Sequence, residues 1–337
     1  MSKSELCPVN VVTGFLGSGK TTLLNRLLRH PGLADTAVII NEFGDTALDH
    51  WLVEGGDEEI VTLDQGCICC SLRGDLVRTL RRLFQQAMAG EIPRFRRVLI
   101  ETTGLADPAP VIQTLMQDPL LAMEARLGGI LTVVDALHGA ETLANHREAR
   151  RQAAMADRIV ISKTDLEEAH SLDAVITDLR AAGIQASVVV PGDSGLDPAE
   201  LLDIGTSATD GLRRWLQLDG LVPMGAAASK PAGNAHTDMT NLVLQHDAAM
   251  PPADMDAFLD MLCDLHGRQL LRLKGIVQLT DDPGRPAVVH AVRGTRHPVG
   301  RLAAWPADMA GTTLVCIGEG LDTASIQDLW GYARTRA

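Results

Sequence analysis

Aromatic residues and positive charge are both scarce in this sequence of 337 residues. Phe, Trp and Tyr together make up 3% of it, which argues against the base-stacking surfaces of single-strand nucleic-acid binders. Lys and Arg number 30 against 43 Asp and Glu, and the resulting net charge of -13 repels nucleic acid and anionic membranes. No apolar run approaches the ~18 residues of a membrane-spanning helix, and the N-terminus lacks a signal-peptide pattern. We therefore expect a cytoplasmic protein with neither nucleic acid nor membrane as a partner.

Cysteine is also infrequent, but its distribution is informative. The six cysteines are Cys7, Cys67, Cys69, Cys70, Cys263 and Cys316. Three of them fall within four residues. In a reducing compartment this clustering indicates metal or redox chemistry and not a disulfide framework.

The first 205 residues alternate short apolar strands with helical patterns. The strands are rich in Val and Ile with little polar alternation, which is typical of a parallel sheet buried on both faces. The predicted strands are Pro8–Thr13, Ala37–Asn41, Val98–Glu101, Gly129–Asp135, Arg158–Ser162 and Ser187–Val190. The predicted helices are Thr21–Arg29, Asp75–Ala89, Ala109–Met116, Glu148–Ala156 and Leu172–Ala182. This order predicts an α/β domain with a doubly wound, mostly parallel sheet over residues 1–205.

The remainder of the chain changes character twice. Residues 206–237 are small and polar without periodicity, which predicts a linker. Residues 238–337 then combine strands with two helices, Pro252–His266 and one from Thr323 onward. We expect a smaller α+β C-terminal domain with its helices on one face of a sheet.

The segment Gly14–Thr21 fits the phosphate-loop pattern G-x-x-x-x-G-K-[ST] between a predicted strand and a predicted helix. Glycines let backbone N–H groups curve around phosphate oxygens, and the helix N-terminus adds the positive end of its dipole. We expect Lys20 to reach the β- and γ-phosphates during hydrolysis and the Thr21 hydroxyl to ligate Mg²⁺. The nucleotide-binding residues predicted here are Gly14, Gly17, Ser18, Gly19, Lys20, Thr21 and Thr22.

An acidic residue at the end of a nearby strand would complete such a site. The strand RVLIE ends in Glu101, which we expect to bind Mg²⁺ through water and to serve as the second catalytic residue. Gly104 follows in the pattern E-x-x-G, and in GTPases the corresponding glycine offers its N–H to the γ-phosphate. The simpler alternative for Glu101 is a carboxylate that caps the next helix.

The segment Ser162–Asp165 resembles the guanine motif N-K-x-D. A carboxylate at Asp165 can accept hydrogen bonds from guanine N1 and N2, which are donors that adenine lacks. The stem of Lys163 can cover the face of the base. Ser162 departs from the usual Asn, and its shorter side chain predicts a weaker contact with the base or the phosphate loop. We expect GTP to be preferred over ATP, with reduced affinity.

The cluster Cys67, Cys69 and Cys70 precedes a predicted helix, whose dipole stabilises thiolates near its N-terminus. Three sulfurs so close together suit a borderline or soft divalent metal. Tetrahedral zinc takes a fourth ligand, for which Glu42, His50, a partner's group or water are the candidates. Cysteines that are merely small buried apolar residues, and a redox pair, are the alternatives.

Together these motifs resemble the CobW family of metal-chaperone P-loop GTPases. The matching segments cover nearly the whole chain. They are VVTGFLGSGKTTLLNRLL, IINEFG, GCICCSLRGDL, ETTGLADPAP, LTVVDA, SKTDL, LLRLKGIVQL, AAWP and LVCIGEGLD. A histidine-rich stretch that many relatives carry between the domains is reduced here to His236.

The resemblance implies GTP hydrolysis coupled to binding and delivery of Zn²⁺ or Co²⁺. The recipient would be a client metalloprotein or an enzyme that builds a metal cofactor, and a homodimer is left open. The resemblance places the transition metal on Glu42, Cys67, Cys69 and Cys70. It places Asp45, with Glu101, on the Mg²⁺ side of the nucleotide.

Two other functions remain open from the sequence. The first is a GTPase switch that regulates a protein partner and carries a permanent structural zinc. The second is a P-loop ATPase or small-molecule kinase, against which Asp165 argues. A nucleotide-dependent metal affinity distinguishes the first from the chaperone, and a comparison of GTP with ATP binding distinguishes the second.

Overall fold

The protein was analysed as a computed structural model. It describes residues 6–40, 50–51, 61–62, 72–166, 172–191, 197–203, 216, 239–296, 299–306 and 309–336. The chain divides into two compact units. One comprises Met1–Thr177 and Val188–Ile204, and the other comprises Asp178–Ser187 and Gly205–Ala337.

The N-terminal part of the chain, residues 6–203, alternates strands with helices in the predicted order. Its strands are β1 (Cys7–Gly14), β2 (Thr36–Ile40), β3 (His50–Trp51), β4 (Val61–Thr62), β5 (Arg97–Glu101), β6 (Ala125–Asp135), β7 (Arg158–Ser162) and β8 (Ser187–Val189). Its helices are α1 (Lys20–Leu28), α2 (Leu72–Ala89), α3 (Ala109–Gln117), α4 (Leu121–Glu124), α5 (Gly139–Asn145), α6 (Arg147–Met155), α7 (Leu172–Ala181) and α8 (Pro198–Leu202). A 3₁₀ turn over Pro31–Leu33 links α1 to β2.

The central sheet of this part has the strand order β2-β5-β1-β6-β7-β8. Every pairing whose register is described is parallel, including Val12 opposite Glu101 across β1 and β5. Strand β1 therefore lies inside the sheet, and its carboxyl end is flanked by those of β5 and β6. Strands β3 and β4 form a separate antiparallel pair.

Both faces of the sheet are buried, as the run of apolar residues in each strand predicts. Side chains on one face, such as Val12 and Val133, pack with Leu24 and Leu27 of α1. Val11 points to the opposite face and is fully buried, and α3 packs against β6. The prediction of a doubly wound α/β sheet is confirmed.

Strand β6 starts four residues earlier than predicted. Gly128 and Gly129 lie within the strand, where the register against β1 shifts between Val9 and Asn10. A Cβ on Gly128 would come within 2.8 Å of Oδ1 of Asn10. Glycine is therefore needed at this irregularity because the buried Asn10 side chain takes the space that a side chain would fill.

The second unit is an antiparallel sheet with two helices. Its elements are β9 (Met239–His246), α9 (Pro252–His266), β10 (Leu270–Val277), β11 (Ala287–Val292), β12 (Thr295–Arg296), β13 (Gly300–Arg301), β14 (Thr312–Glu319) and α10 (Thr323–Arg336). The strand order is β12-β11-β10-β14-β9, and β13 also pairs with β11. The predicted α+β character of this part is confirmed, whereas the exact limits 1–205, 206–237 and 238–337 stay predictions.

Helices α9 and α10 share one apolar core with the sheet of the second unit. Phe258 of α9 is fully buried, and its ring meets that of Trp330 of α10 at a centroid distance of 4.9 Å. Leu273 of β10 and Leu314 of β14 belong to the same core. Among the described residues, no helix is both long and apolar enough to cross a membrane.

Replacing Phe258 by Ala is expected to destabilise the second unit by about 3–5 kcal/mol, because it removes a fully buried ring and leaves a cavity. Leu265→Ala on the same helix is the matched control, since Leu265 is 66% exposed. That variant should stay within about 0.5 kcal/mol of the wild type. Urea denaturation of the full chain, followed by tryptophan fluorescence, measures both. Equal midpoints for the two variants would contradict this packing.

Candidate functional site

The phosphate loop links β1 to α1 at the carboxyl edge of the sheet. It leaves β1 at Gly14, whose φ is +145°, and a Cβ there would lie 2.4 Å from the carbonyl oxygen of Val133. Gly19 takes the N-cap position of α1 with a left-handed φ of +91° and no side-chain cap. The first-turn N–H groups of α1 are thus left for an anionic ligand, as a phosphate loop requires.

Lys20 and Thr21 follow directly at the start of α1. The Lys20 ammonium donates to the carbonyl oxygen of Phe15 at 3.1 Å, so its tip folds back over the loop. The Thr21 hydroxyl donates to Oε1 of Glu101 at 2.7 Å. A residue of the loop and the acidic end of β5 therefore meet, although 80 positions separate them in the sequence.

Glu101 is 3% exposed, and the segment after it packs against the phosphate loop. Thr102 donates its hydroxyl hydrogen to the Thr13 hydroxyl at 2.8 Å. A Cβ on Gly104 would come within 2.7 Å of the backbone nitrogen of Leu16. Only glycine allows so close an approach between the E-x-x-G segment and the phosphate loop.

The end of β7 is fastened to the same loop. The Ser162 hydroxyl donates to the carbonyl oxygen of Ser18 at 2.6 Å. Lys163 has a left-handed backbone with a φ of +58°, a conformation that costs on the order of 1–3 kcal/mol for a non-glycine residue. Its ammonium lies 3.6 Å from Oδ2 of Asp135, whose other oxygen accepts from the backbone N–H groups of Leu137 and His138.

Several predicted residues thus converge at one edge of the sheet. The phosphate loop, Glu101, Gly104 and Ser162 contact one another, and Asp165 lies in the exposed turn just beyond β7. The remaining predicted residues lie outside the described part of the chain. They are Glu42, Asp45, Cys67, Cys69 and Cys70.

Sequence reasoning missed three contributors to this edge. Asp135 ends β6 and pairs with Lys163; its position at a strand end was a usable signal. Gln152 is buried inside α6 and bonds to the segment after Glu101, and the ring of His146 stacks on Phe15. Neither contact has a local signature, because each joins residues far apart in the sequence.

Cysteines in the described part of the chain do not form a metal site. Burial raises the pKa of Cys7 to about 12, that of Cys263 to about 11 and that of Cys316 to about 12. Burial thus disfavours the thiolate, which is the form that binds metals. Across the residues that the structure describes, no group of three or more His, Cys, Asp or Glu side chains could hold a metal ion.

Comparison with known proteins finds matches to both units. The model of the CobW/HypB/UreG nucleotide-binding domain matches residues 8–190. That of the cobalamin synthesis protein CobW C-terminal domain matches residues 239–334.

Individual relatives extend over most of the chain. The zinc chaperone YjiA of Escherichia coli is 32% identical over 282 residues, which are 82% of this chain and 83% of the relative. The zinc chaperone CobW of Pseudomonas aeruginosa is 31% identical and covers 95% of this chain and 89% of its own. The crystal structure of Zn(II)-bound YjiA GTPase from Escherichia coli superposes with a TM-score of 0.69 at 25% identity, over 98% of this chain and 99% of that one.

The bond between Ser162 and the phosphate loop yields a test. Ser162→Ala removes the donor to Ser18 and should weaken GDP and a non-hydrolysable GTP analogue alike by roughly five- to tenfold, about 1 kcal/mol. Thr164→Ala changes an exposed residue of the same turn and is the matched control. Isothermal titration calorimetry measures the affinities. Unchanged affinity in Ser162→Ala would show that the bond does not support the loop.

Proposed function

Since the chain belongs to the CobW/HypB/UreG family, we propose that it is a GTP-hydrolysing metallochaperone that binds zinc and delivers it to a client. The client is a metalloprotein or an enzyme of metal-cofactor synthesis. The observation that supports GTP binding and hydrolysis is the 2.7 Å hydrogen bond between Thr21 Oγ1 and Glu101 Oε1. The metal half draws support from relatives that are named zinc chaperones.

The oxygens of Thr21 and Glu101 fit a magnesium ion. A hydroxyl and a carboxylate are hard donors of the kind that Mg²⁺ prefers, and here they lie side by side next to the phosphate loop. Thr21 would hold the ion directly and Glu101 through water, and Mg²⁺ when bound neutralises charge on the phosphate oxygens. The proposed role of Asp45 is to bind the same ion from the segment Asn41–Asp45, which includes part of the IINEFG match and resembles the family's switch region (the switch segment).

Lys20 has a separate task in hydrolysis. Its ammonium donates to the carbonyl of Phe15 within the phosphate loop. It leaves that carbonyl to reach the β- and γ-phosphates, where a fixed positive charge stabilises the transition state. The loop pattern also assigns phosphate binding to Gly14, Gly17, Ser18, Gly19 and Thr22.

Guanine selection is proposed for the turn after β7. Asp165 is exposed there and its carboxylate accepts from the guanine N1 and N2 groups, while the stem of Lys163 lies along the base. Ser162 stands where the motif has Asn, and its bond to Ser18 ties the base-binding turn to the phosphate loop. A substitution in the base-binding turn is therefore expected to affect the phosphate loop through this hydrogen bond, and the reverse also holds.

For the transition metal we propose Cys67, Cys69 and Cys70 with Glu42. Three cysteines within four residues supply several sulfur ligands close together, whereas the described residues contain no group of three or more potential metal ligands. Glu42 belongs to the switch segment, which GTP orders and hydrolysis releases. A tenfold change in metal affinity needs about 1.4 kcal/mol of coupling, which a single ordered segment supplies.

Lys20→Ala is expected to lower the rate of GTP hydrolysis about 100-fold or more while the fold stays intact. Arg26→Ala removes an exposed cation from the same helix and should keep wild-type turnover. Phosphate release and circular dichroism measure rate and fold. Wild-type turnover in Lys20→Ala would remove the phosphate-loop assignment.

The coupling of metal to nucleotide tests the proposed function as a whole. Wild-type protein should bind Zn²⁺ more tightly with a non-hydrolysable GTP analogue and Mg²⁺ than with GDP, and Glu42→Ala should reduce that difference. Cys69→Ser and Cys70→Ser should each weaken Zn²⁺ sharply and still bind GTP, because a hydroxyl is a poor replacement for a thiolate.

A competition titration against a chromogenic chelator, run in each nucleotide state, measures these affinities. Cys7→Ser is the matched control, because burial raises the pKa of that thiol to about 12 and should keep it from binding metal. Identical Zn²⁺ affinities with GDP and with the GTP analogue would contradict delivery. They would favour a GTPase switch with a structural zinc.

A further inference from the structure

The side-chain amide of Gln152 holds the segment that follows Glu101. Gln152 lies in α6 and is fully buried. Its Nε2 donates to the carbonyl oxygen of Gly104 at 3.1 Å and to that of Ala106 at 2.9 Å. Both hydrogens of the amide are used, so one side chain fixes two carbonyls of the same short segment.

The segment held by Gln152 is pressed against the phosphate loop. A Cβ on Gly104 would come within 2.7 Å of the backbone nitrogen of Leu16, so there is no room for a side chain between the two backbones. Gly104 is therefore held on two sides, by the phosphate loop and by the Gln152 amide, which limits how far its backbone can move relative to the loop.

Helix α6 also contacts the phosphate loop at its other end. The ring of His146, which precedes the helix, stacks on Phe15 with a centroid distance of 4.4 Å. The carbonyl of Phe15 accepts from Lys20. One nine-residue helix thus contacts both the loop that carries the catalytic lysine and the segment that carries Gly104.

Gln152 also lines a small cleft together with Phe15 and Ser18 of the phosphate loop. Within the described part of the chain, Oε1 of Gln152 and Oγ of Ser18 are buried without a hydrogen-bond partner. The Nε2 group faces the two carbonyls, because a flipped amide would place Oε1 against two carbonyl oxygens.

We propose that Gln152 is a positioning residue for GTP hydrolysis, which holds Gly104 where its N–H meets the γ-phosphate. This inference rests on the proposed GTPase function. Gln152 touches neither phosphate nor the reacting water. It acts through Gly104, so its loss affects the state with a γ-phosphate and spares the state without one.

Side-chain chemistry explains why glutamine is needed at this position. A leucine has nearly the same size but no donor, so it leaves the carbonyls of Gly104 and Ala106 without the amide. An asparagine keeps the amide and is one methylene too short to reach both carbonyls. Gln152→Leu therefore tests the loss of the amide donors, and Gln152→Asn tests the loss of side-chain length with the amide kept.

Steady-state hydrolysis and nucleotide titrations of the full chain test this role. Gln152→Leu should lower kcat about tenfold or more and reduce the preference for a non-hydrolysable GTP analogue over GDP. Its affinity for GDP should stay within about twofold of the wild type. Gln152→Asn should show the same loss of kcat and of preference for the GTP analogue. It replaces Gln152→Leu in the test if the leucine variant does not fold.

Glu148→Gln is the matched control, because Glu148 is exposed on the same helix. It should leave kcat and the nucleotide preference unchanged. Wild-type kcat and preference in both Gln152 variants would overturn the inference, as would an equal loss in Glu148→Gln. Absence of GTP hydrolysis in the wild type would instead refute the proposed function, and with it this role.

Discussion

The narrow space around the phosphate loop is the constraint on which the candidate site depends. At Gly14 a side chain would collide with the carbonyl of Val133, and at Gly104 it would collide with Leu16. These two close approaches hold the loop between β6 and the segment after β5. The loop is therefore shaped by its neighbours before any nucleotide binds, so that less entropy is lost on binding.

Hydrogen bonds then connect this confined loop to the other parts of the site. Thr21 reaches Glu101 at the end of β5, and Ser162 reaches the loop from the end of β7. Each bond joins elements that are distant in sequence and adjacent in the sheet. A GTPase needs such links because the presence or loss of the γ-phosphate must affect groups that do not contact it. Gln152 adds a third link, from α6 to Gly104.

The cysteines of the chain fall into two classes with different proposed roles. Cys7, Cys263 and Cys316 are wholly or partly buried, and their raised pKa values keep them as neutral thiols. A metal carrier needs thiolates that it can load and unload, which requires access and a favourable electrostatic environment. We propose that the C-x-C-C motif, and not these three thiols, carries the metal.

Local sequence patterns determined the element order, the phosphate loop and the strand-end acid Glu101. Short apolar strands, glycines at tight turns and the 3.6-residue period of helices are all encoded within a few neighbouring residues, so they can be predicted without a structure. The same patterns placed the start of β6 at Gly129, four residues too late, because Gly128 lies inside the strand, where it leaves room for the buried Asn10 side chain.

Tertiary structure alone decided which distant residues meet. The pairing of Thr21 with Glu101, the bond from Ser162 to Ser18 and the grip of Gln152 on Gly104 depend on the strand order β5-β1-β6-β7, and no spacing in the sequence encodes it. Strand order follows from how the helices cover both faces of the sheet, which is a property of the whole packed unit. The sequence by itself determined which groups could bind a nucleotide, and the packed sheet decided which of those groups are close enough to act together.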